Sequence, residues 1–112
     1  MDTKRQNKIA RLIQKDVSDI FQTEYKNFFG PVLITITKVR VTSDLGLARI
    51  NLSIYGTDNK AGILENIKKQ TKEIRLKFGL RAKNQLRIMP VFEFFIDDTL
   101  DYIEKIEALL KK

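Results

Sequence analysis

The chain is 112 residues long, 43% apolar, and carries 21 lysines and arginines against 14 acidic side chains, a formal charge of +7. That length suits one domain with its own core, and the apolar share is that of a folded chain, not a disordered one. Cysteine and histidine are both absent, which excludes a disulfide framework, a thiolate nucleophile, a zinc site of nitrogen and sulfur ligands, and the commonest general base near neutral pH.

Thr3-Lys4-Arg5-Gln6 has the form of a capping box, so a helix should begin there. Ile9, Leu12, Ile13, Val17, Ile20 and Phe21 then mark one helical face, and Gly30-Pro31 stop the helix. Residues 32–42 are rich in β-branched side chains and predict a strand. Its alternation slips between Ile36 and Val39, which predicts a bulge near Thr37. After a turn at Ser43-Asp44-Leu45-Gly46, Ala48, Ile50, Leu52 and Ile54 alternate with Arg49, Asn51 and Ser53. This is a half-buried strand, antiparallel to the first.

Gly56-Thr57-Asp58-Asn59 closes that strand and caps a helix from about 60 to 79, with Ile63, Ile67, Ile74 and Phe78 as its apolar face. Gln70 and Thr71 stand where the pattern asks for core, so a kink or register break is expected there. Gly79 and a mixed stretch lead to Pro90, which opens a third strand over 91–96. Within it, Phe92 and Phe94 should face the core and Phe95 the other side. Asp97-Asp98-Thr99 should cap a last helix with Leu100, Ile103, Ile106 and Leu110 inward. The order is α-β-β-α-(α)-β-α, an α+β domain with helices on one face of a three-stranded sheet. With no repeat, low-complexity tract or linker, residues 1–112 read as a single domain.

Charge is unevenly spread. Residues 60–89 carry nine basic groups against Glu65 and Glu73 alone, whereas 1–59 carry a net +3 and 90–112 a net −3. Such concentration points to a polyanion, most simply nucleic acid. On a helix turning about 100° per residue, Lys68, Lys72 and Arg75 share one stripe, with Lys69 close by. Arg81, Lys83 and Arg87 continue the basic character toward the third strand. The bland alternative is a solvated helix face, but like charges this close repel unless something compensates. A second group, Lys4, Arg5, Lys8 and Arg11, opposes the dipole of the first helix. Either RNA contact or plain solubility accounts for it.

Other side chains carry less. Tyr25, Phe28 and Phe29 read as packing, and Tyr55 is open. Asp97 and Asp98 are the only adjacent carboxylates, and helix capping explains them more simply than catalysis or magnesium binding. No histidine activates Ser18, Ser43 or Ser53, and no Gly-rich phosphate loop is present. No catalytic and no metal-binding residues are therefore assigned. No apolar run approaches the roughly 20 residues that cross a bilayer, and Met1-Asp2-Thr3-Lys4-Arg5 leads into no secretory signal. A cytoplasmic protein is expected, with no membrane partner.

Three segments carry a family resemblance. They are Val32-Leu33-Ile34-Thr35-Ile36-Thr37-Lys38-Val39-Arg40-Val41-Thr42-Ser43-Asp44-Leu45 running into Ala48-Arg49-Ile50; Ile74-Arg75 with Leu86-Arg87-Ile88-Met89-Pro90-Val91-Phe92-Glu93-Phe94; and Asp97-Asp98-Thr99-Leu100 with Ile106-Glu107-Ala108-Leu109-Leu110. In this order and spacing they resemble ribosome-binding factor A. The resemblance implies a KH-like fold of the bacterial, type II topology, binding to the 30S ribosomal subunit, and help with late maturation of 16S rRNA, including its 5′ end. It implies a binding protein with no cofactor and no chemistry; no small-molecule substrate is expected, and a monomer is the default for an oligomeric state that the sequence leaves open. The family's Ala-x-Gly kink between its central helices is replaced here by Gln70-Thr71-Lys72, which puts any RNA contact made by that kink in question. A rival reading is a protein–protein adaptor whose basic face meets an acidic partner; a third is a carboxylate-based nuclease. Reversing charge at Lys68, Lys72 and Arg75 is expected to weaken subunit binding without unfolding the domain.

Overall fold

Thr3 opens the part of the chain that this computed structural model describes, residues 3–97; the expected last helix and its apolar face lie outside the described residues. The capping box forms as its sequence predicts. Thr3 Oγ1 accepts from the Gln6 N–H (3.1 Å) while Gln6 Oε1 accepts from the Thr3 N–H (2.8 Å). Gln6 is also buried, and its Nε2 donates to the Val41 carbonyl (2.9 Å), which fastens the start of α1 to the end of a strand. Helix α1 covers Lys4–Thr23 and buries Ile9, Ile13, Val17, Ile20 and Phe21. Beyond it Tyr25 and Phe29 close over Phe21, each ring centroid 6.1 Å from that of Phe21. Phe28 departs from the packing expectation: it meets both rings edge-on yet stays 58% exposed.

Strands β1 (Leu33–Val41) and β2 (Leu47–Tyr55) form the antiparallel pair. Ile36 faces Leu52 but Lys38 faces Asn51, so Thr37 is the extra residue of the expected bulge. The bulge frees the Thr37 hydroxyl to donate to the Asp97 carboxylate (2.8 Å). Strand β3 (Val91–Ile96) lies parallel to β2, giving the order β1-β2-β3 with β2 central. Parallel neighbours need a crossover connection, and two helices supply it. One sheet face carries the buried side chains Ala48, Ile50, Leu52, Ile54, Phe92 and Phe94, against which the helices pack. Leu33, Tyr55, Val91 and Phe95 stay exposed.

Helix α2 is Lys60–Lys69, capped by Asn59 Oδ1, which accepts from the Gly62 N–H (3.2 Å). Gly56, ahead of the cap, has φ +100°, and a Cβ there would stand 3.1 Å from the Pro31 carbonyl oxygen, so glycine suits both the conformation and the space. The expected break is real. Gln70, with φ −95° and ψ 3°, leaves the helical region, and α3 starts at Thr71. No alanine or glycine is needed, because a polar residue turned out of the core can adopt this bridge conformation. Helix α3 runs to Ala82, past the expected end near Gly79. Ala82 is buried and extends the inward row Ile74 and Phe78 at four-residue spacing, and that burial outweighs the helix penalty of one glycine.

Candidate nucleic-acid interface

The break at Gln70 ends the single stripe that a straight helix would give Lys68, Lys72 and Arg75. Its members go separate ways. Lys68 lies on α2 and pairs with Glu65 at 3.7 Å. Arg75 turns inward, where its Nε donates to the Pro90 carbonyl (2.8 Å) and an Nη to that of Met89 (3.1 Å). These carbonyls sit just before β3, so Arg75 ties α3 to that strand. Reversing the charge at Arg75 would break both of these bonds.

The far side of α3 faces α1. Arg81 bonds Asp19 at 2.5 Å and lies 3.8 Å from Glu24; the bond to Asp19 raises its pKa above the ordinary value. Lys77 pairs with Glu73 (3.3 Å) and Glu24 (3.5 Å) and stands 5.1 Å over the Tyr25 ring. Partial desolvation pulls the Lys77 ammonium down, but its bond to Glu73 and the charge of Glu24 outweigh it and raise the pKa. Lys77 and Arg81 thus serve the α1–α3 contact.

Lys69, Lys72, Lys83 and Arg87 are exposed and make no ion pair among the described residues. Lys69 and Lys72 border an open hollow of about 590 Å³ with Arg75, Leu76, Leu80 and Met89. Arg5, Lys8 and Arg87 meet at a smaller groove of about 200 Å³ between the first turns of α1 and the connection from α3 to β3. Arg87, remote in sequence, is thereby brought beside the basic residues that open α1. Lys4 and Arg11 share the outward side of α1 with Lys8, and Lys15 extends that row.

Sequence reasoning passed over Lys15, although its spacing from Lys8 and Arg11 announces a shared face. It also passed over Leu76, Leu80 and Ile88, which are 64%, 67% and 53% exposed. Leucines that break a single-face pattern were the available signal. Among the described residues no cluster of three acidic side chains could hold a metal ion, and no helix is long and apolar enough to cross a membrane.

A family model for ribosome-binding factor A matches residues 5–110. The chain belongs to the ribosome-binding factor A family. It is 44% identical to ribosome-binding factor A of Cytophaga hutchinsonii, over all of this chain and 84% of that protein. Against the Flavobacterium johnsoniae protein identity is 47%, over 98% of this chain and 85% of that one. The fold is similar to the crystal structure of ribosome-binding factor A from Thermus thermophilus, with TM-score 0.68 and 15% identity over 81% of this chain and 94% of that one. A homology model of Thermus thermophilus ribosome-binding factor A, fitted into the cryo-electron microscopy map of its complex with 30S, gives TM-score 0.65 at 15% identity, over 80% of this chain and 91% of that one. In this chain Gln70 makes the interhelical break, with Lys69 and Lys72 on either side of it.

Proposed function

We propose that the protein binds the 30S subunit through 16S rRNA and assists late maturation of that RNA, including processing of its 5′ end. In this reading a cytoplasmic KH-like domain acts by binding, with neither cofactor nor catalysis. The observation that carries it is the set of exposed cations with no ion pair among the described residues, Lys69, Lys72, Lys83 and Arg87, the last of which shares a groove with Arg5 and Lys8. Basic side chains held apart from carboxylates are free to neutralise phosphates and release counterions, so affinity falls as salt rises. Arg75 and Arg81 are engaged in bonds within the fold. Family membership and the 30S complex of the Thermus thermophilus relative point the same way.

Sedimentation of cell extract tests the reading. The protein should travel with free 30S subunits, and one found only at the top of the gradient overturns it. Lys69→Glu with Lys72→Glu should weaken subunit binding by about tenfold or more at moderate salt, since each lost phosphate contact lowers both affinity and its salt dependence. Melting temperature should stay unchanged. An adaptor reading draws on Leu76 and Leu80, which phosphate contact leaves unused. It predicts that an acidic polypeptide competes with rRNA at equal charge.

A further inference from the structure

The groove between α1 and the α3–β3 connection differs from a plain basic surface. Three cations, Arg5, Lys8 and Arg87, surround it, and no carboxylate among the described residues lines it. The nearest acid in the adjoining turn, Asp44, is occupied: its Oδ1 accepts from the Thr42 hydroxyl (2.6 Å) and the Gly46 N–H (3.0 Å). Between the cations the lining is aliphatic, with Leu12, Leu45 and Ile88. Leu45 is nearly buried and holds a left-handed φ of 62°, a conformation that strains an ordinary side chain. Ile88 is 53% exposed at the mouth. The side-chain amide of Gln85, also in the lining, offers a donor and an acceptor together.

Size narrows the ligand. About 200 Å³ holds one planar heterocycle, whereas a helix with its side chains is about 10 Å across and does not enter. Phosphates alone need no aliphatic floor, and an apolar ligand alone needs no ring of cations. An unpaired nucleotide needs both, with its base on apolar or guanidinium surface and its flanking phosphates on basic side chains. We infer that this groove receives one splayed-out nucleotide of single-stranded RNA, its base against Leu12, Leu45 and Ile88 and its phosphates against Arg5, Lys8 and Arg87. The inference rests on the RNA-binding reading above and specifies a site within it.

Fluorescence anisotropy of the full chain tests it, with a labelled uridine-rich RNA of about a dozen nucleotides, a duplex of the same length, and polyglutamate as competitor. The single strand should bind about tenfold more tightly than the duplex. Ile88→Ala, at an exposed position, should lower single-strand affinity about fivefold, the order expected for one base contact, and leave the salt slope unchanged. Arg87→Ala should lower affinity and reduce the salt slope by about 0.7. On the unmodified protein, 4-thiouridine in the strand should crosslink within residues 85–88 or the first turns of α1. Equal binding of duplex, an Ile88→Ala protein indistinguishable from the original, or crosslinks elsewhere overturns the nucleotide site while leaving RNA binding in place. Displacement by polyglutamate as effective as by unlabelled RNA overturns it in favour of an acidic protein ligand. If the original protein binds neither RNA nor 30S subunits, the functional reading itself fails.

Discussion

Arg75 shows how a side chain that reads as a phosphate ligand can have another task. Spacing places it in a row of cations, but spacing cannot register two carbonyl groups 14 and 15 residues further on. Hydrogen bonds from a charged donor contribute about 1.5–3 kcal/mol each, and leaving their acceptors unpaired is costly. Arg75→Ala should therefore destabilise the fold by about 2 kcal/mol or more in chemical denaturation, and weaken subunit binding only through that loss. Tyr25 makes a contrasting case. Its hydroxyl is buried with no hydrogen-bond partner among the described residues, and burial, followed by the charge of Glu73, raises its pKa from 10.0. The folded state thus favours the neutral phenol. Its contribution is intact below pH 10 and is lost as pH rises through the elevated folded value, because the unfolded chain ionises first. Tyr25→Phe should leave stability near neutral pH unchanged or slightly higher and flatten its alkaline decline, as read from melting temperature against pH.

At the level of elements, α1 has no acid in its first turn and places Lys4, Arg5 and Lys8 at the positive end of its dipole. Folding alone favours the opposite choice. Lys4→Glu should raise stability by about 0.3–1 kcal/mol in a thermal melt while weakening RNA binding; a variant that loses stability would mean the terminal charges are compensated in the fold. Helix α3 was only partly legible. Ile74 and Phe78 announce its inner face, but Leu76 and Leu80 blur the amphipathic pattern that would have fixed its end. The break at Gln70 was legible because two polar residues interrupt the inward row. The conformation that makes the break was not.

Across residues 3–97 the strands followed from periodicity, down to the extra residue at Thr37, and the helices did so except at their ends, α1 stopping at Thr23 well before Gly30-Pro31. The parallel placement of β3 beside β2 did not, because nothing local to Val91–Ile96 names its neighbour. Ile50 lies at the centre of that arrangement, fully buried, in register with Val39 on one side and Phe94 on the other. Ile50→Ala should cost about 2–5 kcal/mol by opening a cavity, measured by denaturant titration with an unchanged m-value; a negligible loss would contradict the inward facing of β2. The cations of residues 60–89 sorted themselves only in three dimensions. Arg81 and Lys77, which reach α1, meet Asp19 and Glu24, whereas Lys69, Lys72, Lys83 and Arg87 meet no acid among the described residues.

Gln6 gives the amino-terminal corner a further property. Helix ends ordinarily fray, and a frayed turn would carry Arg5 and Lys8 through many orientations. Because the Gln6 amide clasps the Val41 carbonyl, the backbone beneath both cations keeps its direction before any ligand arrives. Less motional freedom is then surrendered at any encounter, so under the proposed function this corner would meet a crowded ribonucleoprotein particle ready set, where a loose tip would have to wait for its turn to wind.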